Sequence, residues 1–204
     1  ILKSNMWEIA LHFEYYPWRE KLGHIYRIKG AKGKKYTYLS PYVFAGIGGF
    51  HFNPKGQLNG TWYELHQMNT EGQGMPGGAE EYSLYQICVP FGIGVKYAIS
   101  KQWNIGFEIS RRLTFTDYID DVSTVYYDPV AIANANGQIA ADLADPSLGE
   151  LDDQPPYNDP TFAYQSPTDP GLQRGDPTDN DTYMFAVLSI NYKLLYGKFN
   201  LPKF

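Results

Sequence analysis

Residues 83–99 read Ser83-Leu84-Tyr85-Gln86-Ile87-Cys88-Val89-Pro90-Phe91-Gly92-Ile93-Gly94-Val95-Lys96-Tyr97-Ala98-Ile99. The odd positions of this stretch are, after Ser83, β-branched or aromatic throughout. The even positions are, after Leu84, small or polar apart from Pro90. A period of two is that of a strand with two unlike faces. A stretch this long exceeds the five or six residues usual for strands in water-soluble domains.

Working outward, residues 103–116 repeat the pattern. Trp103, Ile105, Phe107 and Ile109 oppose Asn104, Gly106, Glu108, Ser110 and Arg112. Only Ser100-Lys101-Gln102 separates the two segments, which predicts a tight connection. Upstream, Trp7, Ile9, Leu11, Phe13 and Tyr15 alternate with Glu8, Ala10, His12 and Glu14; downstream, Met184, Ala186, Leu188, Ile190, Tyr192 and Leu194 alternate with Val187, Ser189, Asn191 and Lys193. The segment 39–52 is apolar on both faces and glycine-rich, which leaves its register open.

Alternation predicts strands but does not say which face meets solvent. In a soluble sandwich or barrel the apolar face points inward, whereas in a membrane barrel it faces lipid. Three features favour the membrane: the strand lengths, the aromatic residues near strand ends (Trp7, Tyr15, Tyr85, Tyr97, Trp103, Tyr192), and loops that alternate between long and short. The expected fold is therefore all-β, a small transmembrane antiparallel β-barrel forming a single domain over 1–204. Its lipid-facing residues are Ile87, Val89, Phe91, Ile93, Val95, Ile105 and Phe107. Its polar interior holds Glu8, His12, Glu14, Gln86, Lys96, Glu108, Arg112 and Lys193, where opposite charges pair.

On this topology the 100–102 turn and the connection 17–38 lie in the periplasm, while 53–82 and 117–182 are long extracellular loops. Charge follows the same division. The 117–182 loop carries fourteen Asp and Glu against Arg174 alone, and 17–38 carries seven Lys and Arg against Glu20. Within 17–38, Arg19, Lys21, Arg27, Lys29, Lys34 and Lys35 interleave with Ile25, Tyr26 and Ile28, which is the composition of a partner-binding surface rather than of a merely solvated run. Five strands cannot close a bacterial single-chain barrel, whose count is even. An even count therefore calls for further strands before Ile1.

Composition excludes several classes. No run of 18 apolar residues exists, so no transmembrane helix is predicted. The single Cys88 allows neither an intramolecular disulfide nor a cysteine-rich metal site, and it reads as a small buried hydrophobe. Gly46-Ile47-Gly48-Gly49 and Gly92-Ile93-Gly94 lie inside strands with no helix following, which fails the context of a dinucleotide cradle; glycine there suits curvature or close aromatic packing. The scattered Asp-Pro pairs of the acidic loop read as turns, without calcium-loop spacing. No nucleophile with a base and an orienting acid is legible. The expectation is a non-enzyme with no cofactor, no metal, no small-molecule substrate and no nucleic-acid partner.

Several stretches resemble one family. They are Tyr42-Val43-Phe44-Ala45-Gly46-Ile47-Gly48 with His51-Phe52-Asn53-Pro54-Lys55, Asn69-Thr70-Glu71-Gly72-Gln73-Gly74, Pro90-Phe91-Gly92-Ile93-Gly94, Trp103-Asn104-Ile105-Gly106-Phe107-Glu108, and above all Thr114-Phe115-Thr116-Asp117-Tyr118-Ile119-Asp120-Asp121-Val122-Ser123. Ala140-Ala141-Asp142-Leu143-Ala144 and Asp181-Thr182-Tyr183-Met184-Phe185 follow in the same order. Together they are similar to the PorG family of the type IX secretion and gliding machinery of Bacteroidetes. The resemblance implies an outer-membrane barrel that associates with a ring formed by a PorK/GldK-type lipoprotein and a PorN/GldN-type periplasmic protein. It also implies three strands before Ile1, and so eight in the complete protein. Its expected place is the bacterial outer membrane, in contact with outer-membrane lipid and with a periplasmic docking face. The competing readings are an independent barrel acting as an adhesin through its acidic loops, a lipid-modifying enzyme, and a soluble ligand-binding barrel.

Overall fold

The computed structural model describes residues 1–18, 38–100, 102–145, 147–148, 150–152, 154–157, 159, 161, 163–164 and 166–193. Among them the chain is all-β in character: mostly antiparallel sheet with two short helices. The strands are β1 (Leu2–Tyr15), β2 (Leu39–Leu58), β3 (Thr61–Glu64), β4 (Tyr85–Ala98), β5 (Trp103–Thr114) and β6 (Thr182–Tyr192). Their order is β1-β2-β4-β5-β6, with β3 paired to β2. Among the described residues β1 and β6 are therefore the edges.

The five predicted strands are all present, but β2 runs beyond its predicted end. It continues to Leu58 and turns back through Asn59-Gly60 into β3, with Leu58 opposite Thr61 and Lys55 opposite Glu64. Both turn residues have positive φ, 50° and 80°. This is the geometry a two-residue hairpin with the right-handed strand twist requires, and Asn-Gly adopts it at least cost. Part of the segment read as the loop 53–82 is thus ordered sheet.

The chain divides into two compact units. The first comprises Ile1–Ile9, Gly48–Cys88 and Leu113–Asp181. Its core is helical. Helix α1 (Pro129–Asn136) starts where Asp128 accepts a hydrogen bond from the Val130 amide at 2.9 Å, with proline at the first helical position. It ends at Gly137, and α2 (Gln138–Ala144) follows at once. Ile132, Ala140, Ala141 and Ala144 are buried together, with Met68, Tyr127 and Ala133 packed against them. The 117–182 segment was expected to be irregular and solvated; this helical pair and the buried polar frame described below correct that.

The second unit comprises Ala10–Ile47, Val89–Arg112 and Thr182–Phe204. Its strands keep a small-or-aromatic face and an aliphatic face apart. Phe44 packs where Gly92 leaves space, and Tyr42 where Gly94 does; a methyl group at either glycine would overlap the ring. Glycine in these strands therefore serves close aromatic packing.

Candidate functional site

The exposed faces of the strands are apolar. On β4, Tyr85, Ile87, Phe91, Ile93 and Tyr97 are exposed and Val89 and Val95 half-buried, whereas Cys88, Pro90 and Ala98 are buried. On β5 the alternation is stricter. Trp103, Ile105, Phe107, Ile109 and Leu113 are exposed; Asn104, Ser110, Arg112 and Thr114 are buried. The register of β2, open in the sequence, is settled in the same sense: Tyr42, Phe44, Phe50 and Phe52 are buried and Leu39, Val43 and Ile47 exposed. On β1, Trp7, Ile9, Leu11, Phe13 and Tyr15 are exposed, while Glu8 and His12 are half-buried. In a protein whose surroundings are water alone, apolar side chains occupy the buried face and polar ones the exposed face. On β5 the two are largely exchanged, whereas the buried face of β2 is itself aromatic.

The buried face of the second unit carries a connected polar group. Lys96 Nζ lies 2.8 Å from Glu14 Oε2 and also meets the Tyr16 hydroxyl. It sits 4.6 Å from the centre of the Tyr42 ring, whose own hydroxyl donates to Glu108 Oε2 at 2.8 Å. A half-buried lysine beside one carboxylate and two phenol rings keeps a counter-charge where it loses part of its water. Arg112 donates to the Ser110 hydroxyl and lies over Phe185, 4.6 Å from the ring centre. His12 stacks on Phe44 with ring centroids 4.8 Å apart.

Of the polar residues expected inside, Glu14 and Lys96 are brought together, and Glu108 joins them through Tyr42. Gln86 instead bonds the Ser83 carbonyl at 3.1 Å, and Lys193 donates its backbone amide to the Gln102 carbonyl at 2.7 Å. Tyr16 and Tyr42 were missed as members of the group. Their hydroxyls could have been suspected from the buried charge they serve, but tyrosine in a strand reads first as an interface aromatic.

In the first unit a second polar frame holds the loops. Glu71, wholly buried, accepts from the Ser123 amide at 2.9 Å, from the Thr124 amide at 3.0 Å, and from the Thr124 hydroxyl at 2.8 Å. Arg174 Nη1 lies 3.2 Å from it and also donates to Thr70 Oγ1 (2.8 Å) and to the Asp121 carbonyl (3.0 Å). Asp121, fully buried, accepts from the Thr70 and Tyr82 hydroxyls, each at 2.6 Å. The Tyr82 ring stacks on Tyr118 at 4.4 Å. Burial pushes the Asp121 carboxyl up to about 6 against the pull of Thr70, Tyr82 and Arg174. Burial likewise raises Asp117 to about 6, aided by Asp181, Asp120 and Asp176. Burial and the Asp121 carboxylate push the Tyr82 phenol far up. The one signal for this frame in the sequence was the lone arginine of the acidic loop.

Among the described residues no group of three or more His, Cys, Asp or Glu is placed to hold a metal ion, and no helix is long and apolar enough to cross a membrane. Cys88 is buried and forms no disulfide among the described residues. The proposed docking residues Arg19, Lys21, Ile25, Tyr26, Arg27, Ile28, Lys29, Lys34 and Lys35 lie outside the described residues. No family model, curated protein or solved structure matches the chain.

Proposed function

We propose that the chain is the membrane-embedded sheet, with its outer loops, of a small outer-membrane β-barrel that acts as a structural and docking component of a type IX-like secretion machinery. The observation that carries the membrane reading is the exchanged polarity of β4 and β5. Most of their aliphatic and aromatic residues are exposed, Val89 and Val95 being half-buried, and their glycines, Asn104, Ser110 and Arg112 are not exposed. Lipid is the surrounding in which such a face is stable, since each residue on it gains from hydrocarbon what it would lose to water. The pairing of half-buried Lys96 with Glu14 suits an interior filled by side chains rather than a solute channel. The protein acts by holding position, not by chemistry.

The secretion assignment rests on the resemblance of the motifs and on the basic, aromatic-rich segment 17–38. Arg27, Lys29, Lys34 and Lys35 would steer association with an acidic periplasmic surface, while Ile25, Tyr26 and Ile28 supply the contacts that hold it. The test is to tag the protein in cells that carry the PorK/GldK-type and PorN/GldN-type ring, replace those four basic residues by glutamate, and recover the ring lipoprotein. The expected result is insertion in the outer membrane by both forms, with recovery lost in the variant. Undiminished recovery at physiological salt removes docking from 17–38. A protein found in the soluble fraction removes the membrane reading altogether.

A further inference from the structure

The motif Asn69-Thr70-Glu71-Gly72-Gln73-Gly74 is only partly used by the Glu71 frame. On its other side lies a cavity of about 240 Å³ in the first unit, lined by His66, Gln67, Asn69, Gln73, Glu81 and Tyr82. None of the six is aliphatic, and each side chain carries at least one polar atom. One is a carboxylate and none is Lys or Arg, which disfavours an anion. Gln73 is 3 % exposed, and its Oε1 accepts from the Glu71 amide at 3.0 Å. Its Nε2 is buried with no hydrogen-bond partner among the described residues. A buried amide donor left unmade is costly, and native structures rarely tolerate one without a water or a ligand to receive it.

The remaining groups define what that ligand is. His66 Nε2 lies 3.0 Å from the Tyr82 carbonyl, which only accepts, so Nε2 donates there. Glu81 accepts, Gln73 donates, and the Asn69 and Gln67 amides do both. Gly74, at φ 74°, leaves the space the Glu81 carboxylate occupies: a Cβ there would lie 2.7 Å from Glu81 Oε1. A site that alternates donors and acceptors over a small polar volume matches neighbouring hydroxyl groups, each of which donates once and accepts once. We infer that this cavity is a binding site for a neutral sugar unit, such as the terminal hexose of a glycan. Gln73 and Glu81 are its specificity-determining pair. This site stands whether or not the chain docks onto a secretion ring.

The experiment is saturation-transfer difference NMR on the full chain in a phosphocholine detergent, with methyl glucoside, galactoside, mannoside and N-acetylglucosaminide as probes. At least one glycoside should receive saturation from the protein. Glu81→Gln and Gln73→Leu should each weaken that binding by about tenfold, the loss expected for one well-made hydrogen bond. Absence of transfer to all four, or transfer unchanged in both variants, overturns the proposal. Gln73→Leu also removes the acceptor of the Glu71 amide; where it fails to fold, Glu81→Gln, an exposed position, decides alone.

Discussion

Ile93 on β4 and Val130 on α1 are exposed to nearly the same degree, 64 % and 65 %. Their neighbourhoods differ. Around Ile93 every second residue of the strand is apolar and outward, with glycine and Lys96 behind it. Val130 stands on α1, whose buried Ile132 packs against Ala140 and Ala141 of α2, an ordinary arrangement for a helix pair with one face outward. Exposure alone says nothing about the solvent; the pattern around it does. The proposed lipid setting accounts for the first pattern. The loop unit needs no such setting, with an apolar cluster inside and its buried charges Glu71, Arg174 and Asp121 bonded to one another or to neighbouring donors and acceptors.

The largest way to break this contrast acts on the loop unit alone. Arg174→Met would leave Glu71 buried without its cation, costing about 3–5 kcal/mol. Hydrogen exchange should quicken across 69–82 and 117–128 while amides of β5 within 103–112 keep their protection. Equal loosening of both would show that the loop frame is not separately stabilised. Next in size, Ile93→Arg should cost about 2–4 kcal/mol of stability in lipid vesicles, as a cation at mid-membrane does. Val130→Arg, equally exposed, should change stability by no more than about 0.5 kcal/mol. Equilibrium unfolding of both variants from the same vesicles compares them directly; equal effects would remove the distinction.

The buried acids of the loop unit carry a pH signature that the apolar strand faces lack. Asp121 takes up its proton more readily folded than unfolded, its carboxyl lying near 6 rather than at the usual value. Its protonated form therefore stabilises the fold fully below the unfolded value, and that stability is lost as pH rises through about 6. The difference between pH 4 and pH 7 from this group is on the order of 2 kcal/mol. Asp121→Asn should reduce the pH dependence of the exchange rates of 69–82 over that range, leaving the contributions of Asp117, Asp120 and Asp181, which burial also raises. A slope unchanged in the variant would assign the effect elsewhere. Smallest of the four, Gly94→Ala would drive a methyl group into the Tyr42 ring, and overpacking of this kind costs about 1–3 kcal/mol. The strain should appear as shifted Tyr42 resonances with the loop unit unaltered.

How much of this was legible depends on the kind of constraint. Strand existence and the two faces of β4 and β5 follow from local period-two alternation, so Ile87 and Asn104 could be sorted by counting. The β2 register could not be, because both of its faces are apolar; only its packing of Tyr42 and Phe44 against Gly94 and Gly92 chooses between them. The extension of β2 into β3 was signalled by Asn59-Gly60, a strong hairpin turn that lay inside a stretch read as loop. Arg174 pairs with a glutamate 103 positions earlier, and Asp121 with Thr70 51 positions earlier. Contacts at such separation leave no periodic trace. The cavity beside Gln73 is of the same kind, assembled from side chains whose polarity alone suggests only an exposed turn.

On the membrane proposal, the exposed apolar face of β4 and β5 meets lipid. Spin labels attached singly at positions 87, 93 and 107, in a Cys88→Ala background and in lipid vesicles, test it by paramagnetic accessibility. The three labels should be readily reached by molecular oxygen, which concentrates in hydrocarbon, and poorly by a water-soluble nickel chelate, with a label at position 130 showing the reverse. Labels at 87, 93 and 107 that the nickel chelate reaches as freely as it reaches position 130, or that neither reagent reaches, would contradict the claim.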